Sequence, residues 1–369
     1  MEESTFSILF SHLEDPRIDR TKRHGLLDII LLTLCAVLCG ADSWVDVEEF
    51  GHIREEWLKT FLELPNGIPS HDTIGRVFSM INGKAFDRCF MEWVQTLAGL
   101  TSKVIAIDGK QIRGSKGERG PLTLVSAWAG ENKLVLAQER VCQKSNEITA
   151  IPALLALLDL KGKIVTIDAI GTQRGIAEQI ITEGGDYVLA VKQNQAKLWE
   201  EMKFSFELDK SQGFKDAPYD YAETVNKGHG RIETRRCWSI SDPEYLMDIR
   251  QDWPSLTSLV FIESERWIGD KKETATRYFI TSMQGKAHEI LSTQRSHWGI
   301  ENSLHWVLDI AFNEDRCRVR KDNAAGNFAI IRKMALNLLR QDKSVKIGAH
   351  GKRLRCGWYQ DYLLHVLSQ

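Results

Sequence analysis

What this chain of 369 residues lacks narrows its possibilities. It has no C-x-x-C pair: its seven cysteines, at positions 35, 39, 89, 142, 237, 317 and 356, are scattered and odd in number. That pattern excludes a disulfide framework and a cysteine zinc site, and it predicts reduced thiols in a cytoplasm. No sign of charge is in excess, with 48 Lys and Arg against 50 Asp and Glu, so a uniformly basic nucleic-acid coat is excluded while local basic patches are not. There is no internal repeat and no low-complexity tract. The nearest thing to a targeting or spanning segment is "IILLTLCAVLCGA", Ile29 to Ala41, which is too short to cross a bilayer as a helix. The basic residues ahead of it, Arg17, Arg20, Lys22 and Arg23, are mixed with Glu2, Glu3, Glu14, Asp15 and Asp19, unlike the short basic leader of a signal peptide. A buried helix and no membrane partner are therefore expected.

What is present divides along the chain. Residues 1 to about 98 carry helical signals only, with Ser70 as an N-cap ahead of "HDTIGRVFSMI" after Pro69. That segment has the size of a helix that enters a DNA groove, though an ordinary bundle helix has the same features. From residue 99 to 343 the pattern changes. "KVIAIDG", "PLTLVSAWA" and "KLVLAQERV" read as a meander of three strands, followed by helix, strand "KIVTIDAIG", helix and strand "DYVLAVKQN". This order predicts a mixed α/β sheet whose last strands are parallel. From about 195 to 285 come polar, strand-like pieces behind a basic loop, "NKGHGRIETRR", expected as a β-rich insertion within the same domain. Helices resume after Lys286, and residues 344–369 form a basic tail.

The chemistry begins at Asp108, where an apolar, β-branched run stops in a charge. A turn that satisfies the carboxylate locally would account for one such strand. "KIVTIDAIG" repeats the pattern at Asp168, however, and two strand-end carboxylates side by side repel each other unless a cation lies between them. With neither cysteines nor clustered histidines nearby, the donors suit Mg²⁺ or Mn²⁺ better than zinc. A third carboxylate is wanted, and Glu301 in "RSHWGIENSLHWVLDIAF" is the best placed. On a helix, Ile300, Leu304, Val307 and Ala311 make a buried stripe, with His297, Glu301 and His305 in a polar line beside it. That line either faces a site or is a solvated surface. Asp309 and Glu314 are the competing third ligands.

"AIDGKQIRGS", "TIDAIGTQ", "HGRIETRR" and "HWGIENSLHWVLDIAFNEDRCRVRKDNAAGN" closely resemble, in order, motifs of bacterial insertion-sequence transposases, in particular the H-repeat-associated type linked with Rhs elements. The resemblance spans nearly the whole chain. It implies an RNase H-like, retroviral integrase-type catalytic domain in which an Asp, Asp, Glu triad binds divalent metal. By motif, those residues are Asp108, Asp168 and Glu301, at spacings of 60 and 133 residues that leave room for the insertion. Related transposases often place a tyrosine and an arginine before the glutamate and a lysine after it. Here Arg295 precedes it, His297 and Trp298 stand nearby, and no lysine follows at helical spacing.

Candidate DNA contacts are Lys110 beside the first aspartate, Arg295 and His297 before the glutamate, the interleaved Arg316, Arg318, Arg320 and Lys321, and His229, Arg231, Arg235 and Arg236 in the insertion. The expectation is a transposase that binds the ends of its element through residues 1–98, cleaves DNA and joins the 3′ end to a target. It would act as a homodimer in the DNA complex, in the cytoplasm and on the nucleoid when bound. A nuclease that cuts without joining, or a decayed transposase that only binds DNA, are the rival expectations.

Overall fold

A computed structural model describes residues 5–97, 101–117, 120–141, 146–215, 218–228, 230–241, 249, 251–284 and 286–369. Six helices come first: α1 (Thr5–Ser11), α2 (Leu26–Leu38), α3 (Trp44–Ile53), α4 (Glu55–Leu58), α5 (His71–Met80) and α6 (Gly83–Thr96). α2 contains the apolar stretch and is buried along nearly its whole length, as a helix without a polar face must be. Among the described residues no helix is long and apolar enough to cross a membrane. Ser43 and Asp46 form a capping box at the start of α3, and the Ser70 hydroxyl accepts from the Thr73 N–H at the start of α5.

The strands are β1 (Val104–Gly117), β2 (Gly120–Ala129), β3 (Leu134–Arg140), β4 (Ile164–Ile167), β5 (Asp186–Val191), β6 (Tyr219–Gly228), β7 (Arg231–Ile240), β8 (Ser258–Ile268) and β9 (Lys271–Thr281). They form one sheet in the order β3-β2-β1-β4-β5-β9-β8-β7-β6. β1, β4 and β5 run parallel, and the other neighbours are antiparallel. Two helices, α7 (Glu147–Leu155) and α8 (Arg174–Thr182), make the crossovers that parallel strands require.

Side chains alternate across the sheet. Ile105 and Ile107 of β1 join α7, α8 and α9 (Ala196–Ser211) in one core, while Ala106 joins Trp128 and the helices in another. The second core contains α2, α5 and α6, the helix Ala324–Gln341 and the C-terminal helices Ala349–Trp358 and Gln360–Leu367. Ala324–Gln341 is the central pillar, and Trp44 and Phe78 illustrate why. Trp44 stacks on Phe78 with ring centroids 4.9 Å apart and also lies 4.3 Å from Phe328 of the pillar. Asn337, on the same helix, both accepts from the Val135 N–H and donates to the Val135 carbonyl, each at 2.9 Å, and so occupies the outer edge of β3.

Two local expectations need correction. The segment "NKGHGRIETRR" is no loop: β6 and β7 pair through Gly228 and Arg231, leaving only the tip at 229–230, of which His229 lies outside the described residues. The stretch after residue 195, read from polar, strand-like pieces, opens instead with the 16-residue helix α9, whose Leu198, Met202 and Phe206 are buried at four-residue spacing.

Candidate active site

Ile107 and Ile167 are partners in the parallel register of β1 and β4, so Asp108, inside β1, and Asp168, just past the end of β4, sit side by side. Beyond that point β1 continues against β2, where Asp108 is opposite Ser126, while β4 ends and turns through Ala169–Gly171. The two carboxylates sit in the fork between diverging strands.

The third wall is the helix Ala287–Gly299 and its continuation. Residues Ile300–His305 form a π-helical turn before an α-helix resumes at Trp306–Phe312. Wider turns of this kind are common at functional sites. The extra width explains a departure from the expected stripe: Ile300, Leu304 and Ala311 are buried, but Leu308 takes the core position and Val307 is only partly covered. Of the polar line, His305 is buried and His297 half-buried, while Glu301 is exposed at the cavity. His297 shares a 2.9 Å hydrogen bond with Thr166 of β4, His305 places Nδ1 3.4 Å from Asp108 Oδ2, and Glu301 opens onto the cavity between them. This cavity, about 420 Å³, is lined by Asp108, Asp168, Lys192, Arg277, Trp298 and Glu301, among others.

Charge is strained here. Burial, and then the neighbouring carboxylates of Glu147, Asp168 and Glu301, push Asp108 up to about 7 despite the Gly109 N–H it accepts. Burial also opposes ionisation of Asp168, but the Ala169 N–H and the Lys192 ammonium outweigh it and hold that carboxyl below the usual range. His305 is driven down to about 3, first by burial and then by Lys110 and Lys333, so it is neutral at physiological pH, and its Nε2 has no partner. Burial likewise lowers His297.

Glu147 is the residue that sequence reasoning missed. It stands in the first turn of α7, on the opposite face from Glu301, with its carboxyl against Gly109. A β-carbon on Gly109 would fall 2.2 Å from the Glu147 carboxyl carbon, so the glycine of the "I-D-G" motif lets this carboxyl lie directly over the strand. That glycine was the one available signal, since an acid at a helix start reads otherwise as a partner of the helix dipole. Lys192 and Arg277 also line the cavity without having been foreseen.

The expected DNA contacts are placed unevenly. Lys110 is turned inward and bonded to both Asp309 and Glu314, so these two rivals of Glu301 are already engaged by a lysine. Arg235 pairs with Glu233, and Arg236 with Glu223 at 2.9 Å and Glu263 at 3.3 Å. Arg295 donates to Asn226 at 3.2 Å, and His297 is held by Thr166. Arg231 is exposed at the start of β7. Arg316, Arg318, Arg320 and Lys321 are all exposed, on a segment that crosses Gly114 so closely that a β-carbon there would meet the Cys317 carbonyl at 2.2 Å. Arg320 fixes the crossing through a 3.0 Å hydrogen bond from Nε to the Gly114 carbonyl.

Residues 99–338 match the transposase DDE domain, and residues 8–94 match the DDE_Tnp_1-associated family. The chain is 44% identical over 366 residues to "Putative transposase YncI" of Escherichia coli O157:H7, covering 97% of this chain and 93% of that protein. It is 41% identical over 353 residues to "H repeat-associated putative transposase YhhI" of E. coli K12, covering 94% and 93% respectively. A 56-residue stretch, 15% of this chain, is 54% identical to "Inactive transposase YbfQ" of E. coli K12, covering 67% of that protein.

Proposed function

Because the chain belongs to the transposase DDE domain family, we propose that it binds the ends of a mobile DNA element, hydrolyses a phosphodiester there and joins the freed 3′ end to a target. The observation that carries this reading is the meeting of Asp108, Asp168 and Glu301 on one cavity. The strand order β3-β2-β1-β4-β5, with only β1, β4 and β5 parallel, supports an RNase H-like catalytic domain, extended in one sheet by β6–β9.

Among the described residues no three acidic, histidine or cysteine side chains are already gathered into a metal cage. The residues present nevertheless fit a hard divalent cation such as Mg²⁺ or Mn²⁺. Their donors are carboxylate oxygens, and Asp108 is pushed up to about 7 beside three other carboxylates. Two such ions supply Lewis-acid stabilisation of the attacking and leaving oxygens in phosphoryl transfer. Asp108, Asp168 and Glu301 would hold them. His305 orients Asp108, and His297, fixed on Thr166, braces the helix that carries Glu301. Glu147 adds negative charge from the opposite face. The exposed Arg316, Arg318, Arg320 and Lys321 form the phosphate track, Arg231 supplements it, and residues 1–98 contribute to end binding. Two ends must be processed together, so a homodimer on DNA is part of the reading.

The test maps the DNA flanking the gene for inverted repeats and uses labelled duplexes carrying those found. Mg²⁺-dependent cleavage followed by joining to a second duplex is expected. Cleavage without joining would make the protein a nuclease, and binding without cleavage would make it a DNA-binding relic.

A further inference from the structure

Lys192 directly follows β5 beside Asp168, and its ammonium lies 3.0 Å and 3.3 Å from the two oxygens of that carboxylate. The pair is not a chance meeting of surface chains, because the turn carrying Lys192 is bolted to the turn carrying Asp168. Asn194 donates to the Ala169 carbonyl, Gln195 donates to the Thr172 carbonyl at 2.9 Å, and the Thr172 hydroxyl donates to the Ala190 carbonyl at 2.5 Å. The backbone is therefore fixed while the four-carbon side chain above it remains half exposed at the cavity mouth. The other lysine near the aspartates, Lys110, is committed to Asp309 and Glu314. Arg277, across the cavity, rests over the Trp298 ring at 4.8 Å.

We propose that Lys192 is a resident counter-cation: it holds the place beside Asp168 that a divalent cation takes, and on cation binding its ammonium moves from Asp168 to a DNA phosphate in the cavity. The proposal rests on the metal reading given above. A partly exposed ion pair is weak, whereas a doubly charged ion facing several carboxylates is held strongly, so the exchange runs toward the metal. A lysine suits this role because its point charge on a flexible stem can move between an aspartate and a phosphate without the fixed fork of an arginine. The device keeps the resting site from accumulating unbalanced negative charge, and it couples metal loading to a new phosphate contact.

The full-length protein is titrated with Mn²⁺, and free Mn²⁺ is counted by its electron paramagnetic resonance signal. Without DNA, Lys192→Met should lower the Mn²⁺ Kd about threefold, the effect of removing one exposed ion-pair competitor. Arg277→Leu, which removes a cation from the same cavity but not from Asp168, should change it much less. Binding to end duplex is then measured with and without Ca²⁺. Lys192→Met should weaken DNA binding and reduce the salt slope by about one contact only when Ca²⁺ is present. An unchanged Mn²⁺ Kd in Lys192→Met, or an equal loss of DNA affinity with and without Ca²⁺, overturns the proposal. Asp168→Asn separates the two levels: if it binds Mn²⁺ as the wild type does, the metal reading itself fails, and the role of Lys192 fails with it.

Discussion

At the scale of single residues, the carboxylates make distinct predictions. Glu301 opens onto the cavity, whereas Asp309 is held by Lys110, one α-helical segment further on. Glu301→Gln is expected to bind element ends normally and to lose Mg²⁺-dependent cleavage as fully as Asp108→Asn. Asp309→Asn is expected to retain cleavage. Cleavage assays on labelled ends decide between the two, and the reverse pattern would identify Asp309 as the third ligand. Asp108 also carries a prediction for stability. Its folded value of about 7 lies above the ordinary 3.8, so the folded chain holds a proton that the unfolded chain has released. The stability this proton supplies is complete below about pH 4 and is lost as pH rises through 7. In metal-free protein, Asp108→Asn should therefore melt close to wild type near pH 4. Its advantage should grow to about 1–2 kcal/mol, a few degrees in Tm, by pH 8. The two aspartates were legible because β-branched runs ending in charge are rare in a buried sheet. Glu147 was not, because its partner is the empty space over Gly109.

Elements decide which basic residues can reach DNA. In the segment "RCRVRK", which leaves a 3-10 turn at Arg316, Cys317 and Val319 pack against the core and Arg316, Arg318 and Arg320 are exposed. Replacing these three arginines with alanine should weaken binding to all duplexes alike and reduce the slope of log K against log salt by about 2–3. Replacing Arg235 and Arg236 should alter that slope little, since Glu233, Glu223 and Glu263 already balance them. Filter binding across a salt series distinguishes the two sets. The interleaving of arginine with apolar residues showed this alternation in the sequence. Charge density alone gave the hairpin arginines equal weight, because cross-strand glutamates are invisible without the register. The π-helical turn was illegible for a related reason: a helical wheel assumes constant pitch, and the insertion of width at Ile300–His305 leaves Val307 at the margin of the core and Leu308 within it. The helix α9 was within reach, since Leu198, Met202 and Phe206 mark its buried side, but its many charges mask the stripe.

For the whole molecule, the N-terminal helices and the sheet are inseparable. Phe78 is fully buried, Trp44 lies between it and Phe328, and Asn327 donates to the carbonyls of Phe78 and Ile81 at the end of α5. A chain lacking residues 1–97 would expose the pillar and is expected to lose its cooperative melt by circular dichroism. Phe78→Ala in the intact chain should cost about 3–5 kcal/mol. The part played by residues 1–98 on DNA is therefore best probed by replacements on their exposed faces. A last consequence follows from Asn337, whose amide occupies the outer edge of β3. An open sheet ordinarily offers two edges and can recruit copies of itself at both, which is how strands grow into filaments. Here the edge of β3 is blocked at Val135 by a side chain from its own pillar, leaving β6 as the other terminal strand. Two molecules that joined by strand addition away from that block would pair β6 with β6. Such a contact is isologous, uses up both free edges at once, and closes at two copies with nowhere for a third to attach.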